Sequence, residues 1–332
     1  MVFLRTKVSR GRPYAQLVEN RWDPAQGYPR QRVVCYLGRL DRIRPEMIPP
    51  EYRTPSVLRS LERMVQKDRE RMRGRIDALR RELEEALLRG DVEGSRQRAR
   101  QAIRLLGAER FLGDLIPEAM HSIGQAWFEG RISVSEEHLA SGIASVLLAS
   151  LRWPARTSRP LGPEVVLCAP EGEDHTLALS VAAHLLRRKG YNPVNIGGSA
   201  PHPSILQFVR DHRPAAVWIS FTRPDLWPRA KSLAVQLCQM RMPMRVTLGG
   251  QGLSAVPPDT RLEGVDLVRV SMIDYLKAWP EGSQGPAGSL GGGGPPELPP
   301  QSFGNMDRQV WKIQPLGTSS PGRWGAQRDS GS

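Results

Sequence analysis

Residues 164–178 read Glu-Val-Val-Leu-Cys-Ala-Pro-Glu-Gly-Glu-Asp-His-Thr-Leu-Ala. A short apolar run stopped by Ala-Pro and an acidic turn is the pattern of a buried strand, and His175 stands where the next helix begins. Downstream the same alternation recurs. Val165–Ala169, Asn192–Ile196, Ala215–Ser220, Arg245–Leu248 and Asp266–Val270 are strand candidates, separated by helical stretches such as Thr176–Lys189, Pro203–Asp211 and Leu226–Met240. Short apolar strands alternating with helices predict right-handed crossovers and a doubly wound, five-stranded parallel sheet over 163–279. Such sheets bind ligands beyond the carboxyl ends of their strands, where His175, Ser220 and the pair Gly249-Gly250 fall.

Upstream, 152–163 is a Pro- and Arg-rich linker, and 91–151 reads as a helical bundle. Asp91 is an N-cap, Gly107 a stop, Pro117 a first-turn proline and Ser133-Val-Ser-Glu136 a capping box. Trp127 falls near the end of one helix and Glu137-His138 at the start of the next, across the short turn 130–132. Taken alone, that segment is a core tryptophan beside solvated polar residues.

Residues 56–90 are a charged linker helix. Leu58, Val65, Met72 and Leu79 recur every seven residues, flanked by Leu61, Ile76 and Leu83, a stripe that suits self-association or packing on the chain's own domain. Asp68 and Gly74 interrupt it as a coiled coil. Residues 1–50 form a basic β-hairpin module, with extended stretches 12–20 and 31–37 separated by a turn-rich segment from Trp22 to Pro29. From 280 to 332 the composition is Gly-, Pro- and Ser-rich and predicts a disordered tail.

The 332 residues carry a net charge of +13, and residues 1–100 alone hold 24 Lys and Arg against 14 Asp and Glu. The basic N-terminal half suits a phosphate backbone, so DNA is the expected partner, with solvated arginine-rich helix faces as the plain alternative. Cys35, Cys168 and Cys238 are too dispersed for a disulfide framework, a zinc knuckle or a dithiol site. There is no apolar run of about eighteen residues and no signal-peptide core in Met-Val-Phe-Leu-Arg, which predicts a cytoplasmic protein without membrane partners.

Three short motifs follow one another in order: Glu173-Asp-His175-Thr-Leu-Ala178, Ser220-Phe-Thr222 and Gly249-Gly250. The series resembles the cobalamin-binding domain, whose flavodoxin-like fold matches the predicted sheet, and a four-helix bundle cap before it strengthens the likeness. The resemblance covers roughly 91–279. It implies that His175 is the lower axial cobalt ligand and that Glu173 orients it. A nucleotide tail of the cofactor would then enter past Ser220, Thr222, Gly249 and Gly250.

Trp127 with Glu137 and His138 resembles the branch of CarH-type light-sensing transcriptional repressors, which use adenosylcobalamin. Carried over, Trp127 and Glu137 face the adenosyl group, and His138 is the upper axial ligand after photolysis. Two departures stand out. Ala178 replaces the glycine of the pattern, and no MerR winged helix precedes the bundle. In its place, the stretches around Phe3–Tyr14, Leu17-Val-Glu and Arg30–Asp41 resemble the N-terminus of IS4/IS1634-type transposases, with Arg5, Lys7, Arg10 and Arg12 as DNA-facing cations.

The expectation is therefore a non-enzymatic cobalamin-binding sensor, a homo-oligomer that regulates transcription. A corrinoid carrier for methyl transfer, and a related module that has lost its cofactor, are the alternatives.

Overall fold

The computed structural model describes residues 2–9, 12–24, 26–151 and 162–279. They fall into two compact units, one within Met1–Pro160 together with Leu177–Lys189, the other within Leu161–Thr176 together with Gly190–Ser332. The tail expected over 280–332 and most of the linker expected at 152–163 lie outside the described residues.

The first unit opens with an antiparallel sheet of β1 (Val2–Ser9), β2 (Arg12–Asp23) and β3 (Tyr28–Arg39) in that order. The hairpin read from the sequence is present as β2–β3, and β1 adds a third strand to it. In β1 the apolar Val2-Phe3-Leu4 gives way to Arg5, Thr6 and Lys7, the cationic pattern of an edge strand. One sheet face buries Leu4, Ala15 and Leu17 in a core with Leu37, Leu40, Ile48, Val57 and Leu61.

Val57 and Leu61 belong to α1 (Pro55–Leu88), whose Thr54 side chain accepts a hydrogen bond from the Val57 N–H. The helix spans about 51 Å. No residue between Leu61 and Leu79 is buried, whereas Leu79, Leu83, Ala86 and Leu87 are. The seven-residue stripe thus serves two cores, one at each end of the helix. Leu83→Ala should cost about 3 kcal/mol in urea unfolding, and Met72→Ala in the exposed middle less than about 1 kcal/mol.

The second half of α1 packs with α2 (Val92–Leu106), α4 (Ile116–Phe128) and α5 (Val134–Ser150), and these four make the bundle. Its first helix therefore comes from the segment read as a linker. Glu82 on α1 and Arg98 on α2 add an ion pair at 2.9 Å. A short α3 (Ala108–Arg110) and a π-helical turn, Phe111–Leu115, lead into α4 and bury Phe111, Leu112 and Leu115. The expected caps form: Asp91 accepts from the Gly94 N–H, and Ser133 and Glu136 cap reciprocally. Helix α6 (Leu177–Arg188) packs on α5, with His184 Nε2 2.9 Å from the Leu148 carbonyl oxygen.

The second unit is a parallel sheet of β4 (Glu164–Cys168), β5 (Asn192–Gly197), β6 (Ala216–Ser220), β7 (Arg245–Gly249) and β8 (Val265–Leu267), ordered β5-β4-β6-β7-β8. This is the flavodoxin-like order predicted from the alternation of strands and helices. Pro193 is accommodated because β5 is an edge strand.

Val166, Val217, Ile219, Val246 and Leu248 pack one face of the sheet against α7 (His202–His212) and α8 (Trp227–Gln239). Trp218 and Thr247 lie on the other face. Tyr275 of α9 (Met272–Lys277) sits 5.6 Å from Trp218 between ring centroids, shares a hydrogen bond with Thr247 and donates one to Asp266. All three cysteines are free thiols, and burial pushes the Cys168 thiol up to about 12. No helix among the described residues is long and apolar enough to cross a membrane.

Candidate functional site

The loop after β4 turns at Gly172 (φ +88°) and sends Glu173 back beneath it, fully buried. One carboxylate oxygen of Glu173 accepts from the His175 backbone N–H at 3.0 Å and lies 2.5 Å from His175 Nδ1. The other accepts from the backbone N–H groups of Thr222 (2.6 Å) and Arg223 (3.2 Å) in the loop after β6. Burial alone would raise this carboxyl group. The bonds from the His175 ring and from the Thr222, His175 and Arg223 backbone outweigh it and hold the group at about 2. Glu173 is therefore an anion that fixes the imidazole from one side. With Nδ1–H donated to it, the lone pair of the ring sits on Nε2. The His175 side chain is 57% exposed.

The neighbouring loops are stitched to this one. Gly172 N–H donates to Ser199 Oγ at 3.1 Å, and Arg229 Nη1 donates to the Glu171 carbonyl at 3.0 Å. Gly198 lies so close that a Cβ there would meet the Glu173 carbonyl oxygen at 2.3 Å. Ser220 pairs with Gly249 in register at the ends of β6 and β7, on the face that carries Trp218 and Thr247.

The two glycines of the pair differ. A Cβ on Gly250 (φ +111°) would sit 2.2 Å from the Phe221 carbonyl oxygen, whereas one on Gly249 would make ordinary contact with Val268 at 3.5 Å. The fold needs Gly250 and has room for more at Gly249. Gly250→Ala should accordingly cost about 2–4 kcal/mol and Gly249→Ala less than about 1 kcal/mol, read from thermal unfolding of the protein without cofactor.

The structure thus joins Glu173, His175 and Thr222 by hydrogen bonds and sets Ser220, Gly249 and Gly250 at adjacent strand ends. Trp127, Glu137 and His138 belong to the helical unit. Trp127 is the penultimate residue of α4, with 48% exposure. Glu137 accepts from Ser141 Oγ at 2.6 Å, and its other oxygen lies 3.7 Å from His138 Nε2. In the N-terminal sheet, Arg5 donates to Gln31 and Gln16, and Lys7 is exposed. Arg10 and the Arg12 side chain lie outside the described residues.

Sequence reasoning missed Gly172, Gly198, Ser199 and Phe221, and the backbone donors of Thr222 and Arg223. Gly197-Gly198 at the end of β5 was the visible signal for one of these contacts.

A doubly wound sheet whose strand ends present an imidazole held by a buried carboxylate defines a ligand-binding domain of the flavodoxin-like class. Residues 79–152 and 163–272 each match a B12 binding domain family, and residues 4–90 match the IS1634 family transposase N-terminal domain. The HTH-type transcriptional repressor CarA of Myxococcus xanthus is 30% identical over 125 residues, which are 37% of this chain and 42% of CarA. The match thus spans less than half of that relative. A 20.5 kDa Rhodobacter capsulatus protein from the bchF-crtJ intergenic region is 30% identical over 159 residues, 46% of this chain and 81% of that protein. Among solved structures, the Methanosarcina barkeri monomethylamine corrinoid protein aligns with a TM-score of 0.42 at 16% identity, over 52% of this chain and 84% of that one. The chain belongs to the B12-binding domain proteins.

The described residues fit a cobalamin. A single imidazole with its lone pair on Nε2 suits a metal that brings its own equatorial ring, and the buried Glu173 supplies the outer support such a ligand needs.

Proposed function

We propose that the chain is a non-enzymatic sensor that regulates transcription through adenosylcobalamin and light. The observation that carries the reading is the Glu173–His175 dyad, in which a buried carboxylate fixes a ring whose Nε2 would be available to cobalt. The match to a transcriptional repressor supports the regulatory part.

In this reading His175 would hold the cobalt of a bound cobalamin. Ser220 and Thr222 offer hydroxyls to the nucleotide tail, and Gly249 leaves it room. Bound adenosylcobalamin supplies a cobalt–carbon bond that light can break. Trp127 gives an aromatic face and Glu137 a carboxylate to the adenosyl group. His138 would offer a second imidazole as a metal ligand. The consequence is a change in self-association, hence in DNA binding.

The test is the absorption spectrum and gel-filtration profile of the full chain prepared with adenosylcobalamin in the dark, before and after green light. Retained corrin, with a light-dependent change in both, is the expected result. A protein that holds no corrin in the dark contradicts the reading. Retained corrin that ignores light, but takes a methyl group on cob(I)alamin from a methyl donor and partner enzyme, points instead to a corrinoid carrier.

A further inference from the structure

Beyond the Val2–Glu19 pair, the pairs among the described residues are those of β2 with β3. These two strands pair Asn20 with Gln31, Arg21 with Arg30, Trp22 with Pro29 and Asp23 with Tyr28. A two-stranded ribbon is marginally stable by itself in water. This one also leaves Trp22 62% and Tyr28 53% exposed, together with Arg21, Arg30 and Arg32.

Opposed residues share a sheet face and alternate residues return to it, so Arg21, Arg30 and Arg32 stand on one face with Glu19, Asp23 and Tyr28, and Trp22 stands on the other. Arg21 directly opposite Arg30 is a destabilising like-charge pair. Asp23 meets Arg30 at 3.4 Å, but Arg21 and Arg32 make no ion pair among the described residues, although Glu19 is opposite Arg32. The arm therefore concentrates guanidinium charge where the described fold does not neutralise all of it. A polyanion relieves that repulsion. The major groove of duplex DNA, about 12 Å wide, admits a two-stranded β-ribbon.

We propose that the 20–31 ribbon enters the major groove of duplex DNA, with Arg21, Arg30 and Arg32 on phosphates and base edges. The proposal rests on the regulatory reading and names its contact surface.

The test uses the full chain and fluorescence anisotropy with a labelled duplex of arbitrary sequence, about three helical turns long, against a single strand of the same length. The wild type is expected to bind the duplex more tightly than the single strand, with affinity falling steeply as salt rises. The Arg21→Gln/Arg32→Gln double variant should bind the duplex at least about tenfold more weakly at low salt, with a log–log salt slope shallower by about two. Its circular dichroism should be unchanged. Absence of duplex binding by the wild type, equal or tighter binding of the single strand, or an unchanged affinity and slope in the double variant overturns the proposal. Corrin retention is read from the absorption spectrum of the same preparations, so failure of the ribbon and failure of the cofactor reading are separate results.

Discussion

Glu173→Gln is expected to lower the stability of the cofactor-free protein by about 3 kcal/mol and to weaken cobalamin retention by about 10- to 100-fold. The carboxylate accepts from four donors while fully buried: the His175 ring and the backbone N–H groups of His175, Thr222 and Arg223. A glutamine of the same shape has one acceptor oxygen and one NH2. Whichever way its amide turns, an N–H faces either His175 or the pair Thr222 and Arg223, and buried donors lose their partner. Losing the charge recovers some desolvation, which keeps the cost to a few kcal/mol rather than the sum of four bonds. Urea unfolding measures the first effect, and gel filtration of corrin-loaded protein the second. A variant as stable as the wild type would show that the two loops do not depend on this anion.

His175→Ala separates ligand from fold. The ring is more than half exposed, and Glu173 keeps its bonds to three backbone donors without it. The stability of the cofactor-free variant should therefore fall by less than about 1 kcal/mol, while cobalamin affinity drops on the order of a hundredfold or more. Any corrin still bound should show the absorption of cobalamin carrying its own base. Urea unfolding gives the first number, and titration with cobalamin, followed by absorption, the second. An unchanged affinity would make His175 a bystander in the loop.

The parallel sheet was legible because strands buried on both faces are continuous apolar runs, and Val166, Val217, Ile219, Val246 and Leu248 mark them plainly. The edge strand β1 was not, since Arg5, Thr6 and Lys7 break the apolar pattern on the side that meets solvent. The stripe on α1 was read as one surface. It is two, and a heptad repeat cannot distinguish one long partner from a different core at each end of a helix. His175 and Glu173 were visible as a motif. The anchoring of Glu173 was not, because its partners are the main-chain N–H groups of Thr222 and Arg223, which any side chain could accompany. The unequal demands on Gly249 and Gly250 also come only from the Phe221 carbonyl, which the fold brings against one of them and not the other.

On the proposed reading the His175 imidazole, held by Glu173, would bind the cobalt. Electron paramagnetic resonance of the full chain loaded with cob(II)alamin, with and without 15N-labelled histidine, tests it most directly. Labelling should convert each triplet of the nitrogen superhyperfine pattern into a doublet, and His175→Ala should remove that sensitivity to the label. Triplets that persist in the labelled wild-type protein would place the cofactor's own base on the metal and contradict the account.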